Sequence, residues 1–476
     1  MMKILFLTAL FASVCFGSPN ASDNKILSQS SHETTIDGES IAYTATVGSI
    51  SMRSMEGTET GKIFYTFYRR ENVDTGSERP ITFAFNGGPG SSSVWLHMGA
   101  FGPKRIVTNM EGQKPLPPYR WIENTDSILD LTDLVFIDPI GTGISRPADH
   151  GDDSFYNIQN DISSVGDFIR DFVTQEGRWK SPKYVAGESY GTFRACGVSE
   201  YLLSRYGLFL NGLILISCAI DFQLLDFSLD NELPYGLFLP SYAATAWYHH
   251  RLDSSMSLEE AMQGAKRFAL DTLIPTMLHE GKVPSNLYPD IAKWTGLSID
   301  LVGRYDGMID DGTFFISLLE QKKQVVGRFD SRFSGQILQP RTLANYEDPS
   351  ESAVTGVFTA SLHAYMLEEL GCHIDWPRYE MYGSLPWNFS TYGYPNTMNS
   401  LRKALVLNPA MRIFTACGYF DLATPFAAAE HCFRRLHLPL DGNVTFGYYE
   451  GGHMFYINSA ALKKFKQDLT GFYQTP

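Results

Sequence analysis

Ser189 is the residue whose type and setting most strongly predict chemistry. The stretch KYVAGESYGT (183–192) holds it between Gly187 and Gly191, in the Gly-x-Ser-x-Gly frame of a nucleophile elbow. Small residues are needed on both sides of such a serine because the backbone is crowded there. The frame alone is a weak signal, but a strand-like apolar run precedes it and a helix-like run follows. We therefore predict that Ser189 attacks a carbonyl carbon once a base has removed its proton.

An elbow of this kind predicts an acid and then a histidine later in the chain. Asp421 ends the apolar stretch MRIFTACGYFD, and His453 ends the stretch FGYYEGGH. Both residues would lie in loops that follow strands, at the same edge of a sheet as the elbow. Taken singly, the aspartate could cap a helix and the histidine could serve packing. Their order after the elbow predicts a catalytic triad of Ser189, His453 and Asp421.

Attack by a serine leaves negative charge on the carbonyl oxygen, and two backbone N–H groups are needed to stabilise it. The residue after the nucleophile, Tyr190, supplies one of them. The glycine-rich stretch NGGPGSSS (86–93) follows an apolar strand-like run and is predicted to supply the other. Glycines alone also fit an ordinary turn, so that alternative stays open.

The elements that would position these residues alternate along the chain. Strand-like runs at 79–90, 131–143 and 210–221 alternate with helix-like segments at 160–175 and 192–206. This rhythm predicts a mostly parallel central sheet with helices on both faces. Together with the elbow it predicts an α/β-hydrolase fold.

The alternation disappears in the middle of the chain, where helix-like segments such as EEAMQGAKRFALDTLI replace the buried strands. We interpret residues 226–350 as a helical cap inserted into the sheet domain. The first part of that domain is predicted at 19–225 and the second part at 351–476.

The composition bounds the class of protein. The 476 residues carry a net charge of −14, which argues against general binding of nucleic acid. The N-terminus has one lysine, an apolar run and then small residues, which predicts a signal peptide at 1–18. No later stretch has the length of a membrane helix. We therefore expect an exported protein, periplasmic or secreted, without a membrane span.

Of the six cysteines, Cys15 lies in the predicted signal peptide. The remaining set is odd in number, so at least one thiol is unpaired: Cys196, Cys218, Cys372, Cys417 and Cys432. Buried free thiols and one or two disulfides are the two alternatives. There is no CxxC pair and no His/Cys cluster with zinc spacing, so we predict neither a metal nor a cofactor.

Five motifs occur in a fixed order: FNGGPGSSS, DPIGTGIS, VAGESYGT, CGYFDLATP and EGGHMF. Together they resemble the serine carboxypeptidase family, over roughly residues 60–460, with the cap matching only in position. The resemblance implies an α/β-hydrolase fold with a helical insertion, and removal of single residues from peptide C-termini. It implies the roles of nucleophile, acid, base and two oxyanion donors for Ser189, Asp421, His453, Gly88 and Tyr190.

The resemblance also gives a role to Glu188, an acid that would otherwise oppose the negative charge formed beside it. Asn86, Gly87 and Glu188 are implied to bind the terminal carboxylate of the substrate. Two anions can pair only if one carries a proton, so burial would have to raise the pKa of the glutamate. A protonated Glu188 would then donate a hydrogen bond to the substrate.

The sequence departs from the family at two positions. Ser91 stands where the family has a disulfide-bonded cysteine, which favours a bacterial-type member. Ala100 stands where the family has a second glutamate, which shares a proton with the first. Glu188 would then act alone, or be assisted by a cation such as Arg194, or serve only the structure.

Three functions follow from these features. The first is a serine-type carboxypeptidase acting on peptides with a free C-terminus. The second is an esterase or acyltransferase that uses the same triad on small esters, and Ala100 is its main support. The third is a binding module on an inactive hydrolase fold, against which the complete set of triad residues argues. The oligomeric state does not follow from the sequence.

Overall fold

The computed structural model describes residues 25–73, 78–108, 115–228, 230–373, 379–389, 391–439 and 442–474. The predicted signal peptide lies outside them. The described strands are β1 (Lys25–Ile36), β2 (Glu39–Arg53), β3 (Glu59–Arg70), β4 (Ile81–Phe85), β5 (Lys104–Ile106), β6 (Trp121–Glu123), β7 (Asp133–Asp138), β8 (Arg146–Pro147), β9 (Lys183–Ser189), β10 (Gly212–Cys218), β11 (Gln324–Val326), β12 (Ser334–Gln336), β13 (Arg412–Gly418) and β14 (Val444–Tyr449).

The helices are interspersed with these strands along the chain. They are α1 (Val94–Leu96), α2 (Ile158–Gln175), α3 (Tyr190–Tyr206), α4 (Leu233–Leu237), α5 (Leu239–Tyr248), α6 (Leu258–Phe268), α7 (Ile274–Glu280), α8 (Tyr288–Thr295), α9 (Ile299–Arg304), α10 (Asp311–Ser317), α11 (Pro349–Glu368), α12 (Met398–Leu407), α13 (Phe426–Arg434) and α14 (Ser459–Gln474). A π-helical turn, His97–Phe101, continues α1.

Ten of the described strands form one sheet, in the order β1-β2-β3-β7-β4-β9-β10-β13-β14, with β8 paired to β3. The pairs from β7 to β14 are all parallel, whereas β1, β2 and β3 are antiparallel to their neighbours. Parallel strands end at one edge, so the loops after β4, β9, β13 and β14 meet there. The predicted α/β-hydrolase fold is confirmed.

Each central strand is apolar throughout because both faces of the sheet are covered. On β10, Leu213 and Leu215 belong to a cluster with side chains from α2, α3 and α13. Ile214 and Ile216 belong to a second cluster with side chains from α11 and α14. The alternation of side chains along the strand thus divides the core into two layers.

No strand of the central sheet lies between the end of β10 and the start of β13 in the described part of the chain. Helices α4 to α10 occupy much of this interval and build a third hydrophobic cluster of their own. Leu422, which follows the predicted acid Asp421, packs into that cluster. The predicted cap is therefore in contact with a loop of the expected catalytic edge. The exact limits 226 and 350 stay a prediction.

The five described cysteines are all free and buried, so the disulfide alternative is wrong for them. Burial raises the pKa of the Cys218 thiol to about 12, which leaves it uncharged at neutral pH. Within the described ranges, no helix combines the length and apolar character that crossing a bilayer requires.

Candidate active site

The nucleophile elbow is formed at the junction of β9 and α3. Ser189 has φ 59° and ψ −129°, a strained combination for a residue with a side chain, and α3 begins at the next residue. A Cβ atom on Gly187 would come within 2.1 Å of the Gly191 carbonyl oxygen. The small residues of the motif are therefore required by backbone crowding, as the sequence predicted.

The predicted acid and base lie in direct contact. His453 Nδ1 is 2.8 Å from Asp421 Oδ2, and both residues are buried. Asp421 also accepts hydrogen bonds from the amides of Ala423 and Thr424, at 2.8 and 2.9 Å, and from the Thr424 hydroxyl at 2.7 Å. These donors hold the carboxylate in one orientation, so that Oδ2 faces the imidazole.

The contact with Asp421 changes the pKa of His453. Burial alone would lower the pKa of His453, but the charge of Asp421 and its hydrogen bond outweigh burial and raise that pKa above its usual value of 6.5. Ser189 lines the same cavity as His453. The described hydrogen bonds do not include one between Ser189 Oγ and His453 Nε2. Such bonds are often long in an unliganded site and shorten when substrate binds.

A short segment, 328–331, joins the two loops that carry Asp421 and His453. The Arg328 carbonyl accepts from the Leu422 amide at 3.0 Å, and the Phe329 carbonyl accepts from the His453 amide at 2.5 Å. The Phe329 ring also lies 5.1 Å from the His453 ring. The segment lies within the cap predicted at 226–350, and its sequence GRFDSRF carries no recognisable motif that would predict a role in the site.

The residues of the two predicted oxyanion donors line the same cavity as Ser189. Tyr190 is the first residue of α3, where backbone N–H groups have no acceptor inside the helix. Gly88 has φ +100°, a conformation that favours glycine, and it lines the cavity with Tyr190. A Cβ on Gly87 would come within 2.5 Å of the Tyr190 amide nitrogen, so the two loops are in close contact.

Arg194 does not assist Glu188, which corrects one of the sequence alternatives. Its guanidinium donates to Asp161 Oδ2 at 2.8 Å and to the Asn86 carbonyl at 2.7 Å. Tyr190 donates to the same Asp161 oxygen at 3.1 Å. This buried network ties the elbow to the glycine-rich loop, so the contribution of Arg194 is to position both.

The glycine-rich loop is held by hydrogen bonds near Ser91, the position at which the resemblance implied a cysteine. The Ser91 hydroxyl accepts from the Trp95 indole at 2.9 Å. Backbone hydrogen bonds join the loop to a later segment, from Ser92 to the Met381 carbonyl and from Gly383 to the Gly90 carbonyl. Hydrogen bonds thus hold the loop where a covalent link is missing.

Glu188 finds its partner in Tyr456, a residue that the sequence analysis did not single out. The Tyr456 hydroxyl donates to Glu188 Oε2 at 2.6 Å, and both side chains are buried. Burial raises the pKa of Glu188 to about 7, although His453, Tyr456 and the Asn86 amide each act to lower it. The predicted rise in this pKa therefore agrees with the structure.

Ala100 is fully buried in the π-helical turn that continues α1. The turn packs against the short helical turn that carries Tyr456, and a Cβ on Gly99 would come within 2.6 Å of the Tyr456 ring. Ala100 offers Glu188 no carboxyl group, whereas Tyr456, three residues after His453, donates a hydrogen bond to it. Only the fold reveals this contact, because Tyr456 and Glu188 are far apart in sequence.

All predicted site residues except Asp421 line one cavity of about 150 Å³. Aromatic rings from several segments close its walls, and the cap segment contributes Arg328 and Phe329. The arrangement offers a nucleophile, a base held by an acid, two backbone donors and a buried carboxyl group that can carry a proton. These are the requirements of acyl transfer from a substrate that ends in a carboxylate.

Comparison with known families agrees with this geometry. The family model described as serine carboxypeptidase matches residues 49–204, which include the glycine-rich loop and the elbow. The curated relative serine carboxypeptidase-like 31 of Arabidopsis thaliana is 32% identical over 142 residues, which cover 27% of this chain and 25% of that protein. The matched stretches thus span a quarter or less of the relatives named here.

A second relative is the pheromone-processing carboxypeptidase KEX1 of Saccharomyces cerevisiae. It is 32% identical over 133 residues, covering 26% of this chain and 17% of that protein. The crystal structure of Kex1(delta)p, a prohormone-processing carboxypeptidase from the same organism, superposes with a TM-score of 0.55 at 14% identity. The superposition covers 90% of this chain and 91% of that structure, so the likeness in fold is not confined to residues 49–204.

Proposed function

We propose that the chain, whose residues 49–204 match the serine carboxypeptidase family model, hydrolyses the C-terminal peptide bond of peptides through Ser189, His453 and Asp421. The observation that carries this proposal is the buried Glu188 beside the nucleophile, whose pKa is raised to about 7. A carboxyl group of this kind is suited to binding the free carboxylate that distinguishes a peptide terminus.

In the first step His453 takes the proton of Ser189, and Ser189 Oγ attacks the carbonyl carbon of the last peptide bond. The carbonyl oxygen becomes an anion that accepts hydrogen bonds from the Gly88 and Tyr190 amides. His453 then gives its proton to the leaving nitrogen, and the C-terminal residue departs. The remaining peptide is bound to Ser189 as an ester.

In the second step water takes the place of the departed residue. His453 removes a proton from the water, and the resulting attack forms a second tetrahedral anion in the same oxyanion site. Collapse of this anion returns the proton to Ser189 and releases the shortened peptide. Asp421 keeps the imidazole oriented throughout, because it accepts the hydrogen bond from Nδ1.

Recognition of the terminus falls to Asn86, Gly87 and Glu188. Asn86 Oδ1 accepts from the Leu96 amide at 3.1 Å. This bond fixes the orientation of the amide group, whose NH₂ end forms a hydrogen bond with the Glu188 side chain. The protonated Glu188 donates one hydrogen bond to the substrate carboxylate through Oε1, while its Oε2 accepts the hydrogen bond from the Tyr456 hydroxyl. Binding of the anionic terminus would raise the pKa of Glu188 further.

The proposal is tested by comparing kcat/KM for an N-blocked dipeptide, its C-terminal amide and a p-nitrophenyl ester of the blocked first residue. We expect the free acid to be cleaved far faster than the amide. The esterase or acyltransferase alternative, which Ala100 supports, predicts turnover of the ester without turnover of the peptide. Absence of all three activities, with no labelling of Ser189 by a fluorophosphonate, would favour the inactive binding module.

The reaction with a free acid should depend on pH through Glu188. Below about pH 7 the carboxyl group is protonated and donates to the substrate; above that pH it becomes an anion and repels the substrate. We expect kcat/KM for the free acid to fall roughly tenfold per pH unit on the alkaline side. The ester should keep its rate there, and Glu188→Gln should remove the decline for the free acid.

Tyr456→Phe should move this alkaline decline to higher pH. The hydroxyl stabilises the charged form of Glu188, so its loss raises the pKa of that carboxyl group, by about one unit for one hydrogen bond to a charge. The phenylalanine ring keeps the packing on Gly99. The pH profile of kcat/KM for the free acid measures the shift. An unchanged profile, or a decline at lower pH, would refute the role of Tyr456.

Export is the remaining part of the proposal. Its support is the sequence of residues 1–18, which has the features of a signal peptide. The N-terminal sequence of the mature protein, determined from the secreted or periplasmic fraction, tests it. We expect the chain to begin near residue 18 or 19, and a chain that keeps residues 1–18 would contradict export.

A further inference from the structure

Arg328 is a cation in the wall of the proposed active site that no step above uses. It belongs to the segment that joins the two catalytic loops, and its side chain is exposed in the cavity. The guanidinium carbon lies 5.2 Å from the centre of the Phe329 ring, which in turn packs on His453. The backbone of Arg328 is fixed by its bond to the Leu422 amide.

In the described part of the chain, no carboxylate forms an ion pair with the Arg328 guanidinium. Two acids lie within electrostatic range of it, Asp311 and Glu351. Asp311 accepts from the Gly312 amide, and no hydrogen bond joins the Arg328 guanidinium to Asp311 or Glu351 in the described ranges. The guanidinium N–H groups can therefore donate to a ligand in the cavity.

Arg328 and Glu188 line the same cavity. Tyr382 lies within electrostatic range of both residues, and its ring packs at 5.2 Å from the Trp95 ring. Phe222, which also lines the cavity, has its ring 6.4 Å from the Tyr190 ring. Glu188 is the proposed contact of the terminal carboxylate, so its end of the cavity receives the residue that is cleaved off.

We propose that Arg328 binds a carboxylate of that C-terminal residue. The proposal rests on the proposed function for the placement of the substrate. The chemistry is that of a guanidinium donating to a carboxylate, a geometry that suits arginine particularly well. The carboxylate has two sources, the terminal carboxylate itself or an aspartate or glutamate side chain. In a protein of net charge −14, a local cation favours the approach of either of them.

The binding of short peptides to the Ser189→Ala variant tests this proposal, because that variant cannot cleave them. The ligands are N-blocked phenylalanyl-glutamate, phenylalanyl-glutamine and phenylalanyl-glutamine amide, and calorimetry gives each Kd. Arg328→Gln should weaken binding of carboxylate ligands by roughly fivefold or more. Arg328→Lys should retain part of the affinity. Arg304→Gln is the matched control, because it removes an exposed cation of helix α9 outside the cavity.

The three ligands separate the two sources. An equal loss for the glutamate and glutamine peptides, with none for the amide, assigns Arg328 to the terminal carboxylate. A loss confined to the glutamate peptide assigns it to the side chain, and predicts preferential removal of acidic residues. Unchanged affinities, or an equal loss for the amide, would overturn the proposal. If Arg328 governs binding but the wild type cleaves no peptide, the proposed function fails and the carboxylate site stands.

Discussion

Ser189→Ala is expected to reduce kcat by roughly a millionfold, to the level left by the binding site and the oxyanion donors. The alanine removes only Oγ, and no described hydrogen bond of the fold depends on that atom. The φ of 59° is as strained for alanine as for serine, so the turn itself should persist. The rate at which the free amino acid is released from the N-blocked dipeptide measures the loss of activity.

The control for this variant is its folding. Its thermal unfolding temperature should stay within a few degrees of that of the wild type, because no contact is lost. Thr192→Ser is a matched substitution on the same turn, since it keeps the hydroxyl that donates to the Ser189 carbonyl at 2.7 Å. It should retain most of the activity. A Ser189→Ala enzyme that still turned over at a tenth of the wild-type rate would exclude Ser189 as the nucleophile.

Asp421→Asn is expected to slow turnover by roughly 10⁴-fold through the wrong imidazole tautomer. The amides of Ala423 and Thr424 both donate to Oδ1, so the asparagine must place its oxygen there. Its NH₂ group then occupies the position of Oδ2, 2.8 Å from His453 Nδ1. The imidazole must accept at Nδ1 and hold its proton on Nε2, where it cannot take the proton of serine.

Thr424→Val separates this effect from a general disturbance of the loop. It removes the hydroxyl that donates to Asp421 Oδ2 but leaves the carboxylate and the tautomer unchanged. We expect a loss of less than about tenfold in kcat. Comparable losses for the two variants would show that the orientation of the loop, not the tautomer, limits the rate. Activity of Asp421→Asn near that of the wild type would contradict the triad.

The sheet and the elbow could be predicted because their signals are local. β10 is apolar at nearly every position since both of its faces are covered, and a run of that kind is visible in sequence. Gly187 and Gly191 are dictated by backbone contacts within a few residues of Ser189. Asp421 and His453 were found because each follows a strand, and strands of one parallel sheet end at a common edge.

The partners of Glu188 could not be predicted because they depend on tertiary packing. Tyr456 reaches it from the far end of the chain, and Gly99 leaves the room for its ring. Arg194 was a candidate on charge alone, but the fold turns it towards Asp161. Arg328 comes from a segment without any motif and is brought into the cavity by bonds to two loops. Side-chain direction across separate elements is information that one sequence does not carry.

The most direct measurement of the central proposal is mass spectrometry of a digested peptide whose N-terminus is blocked and whose C-terminus is free. We expect a ladder of products, each shorter by one residue from the C-terminus, with the blocked N-terminus intact. The same peptide with a C-terminal amide should be degraded far more slowly, and the Ser189→Ala enzyme should leave both intact. Cleavage at internal bonds, or equal degradation of the acid and the amide, would contradict a carboxypeptidase that recognises the free terminus through Glu188.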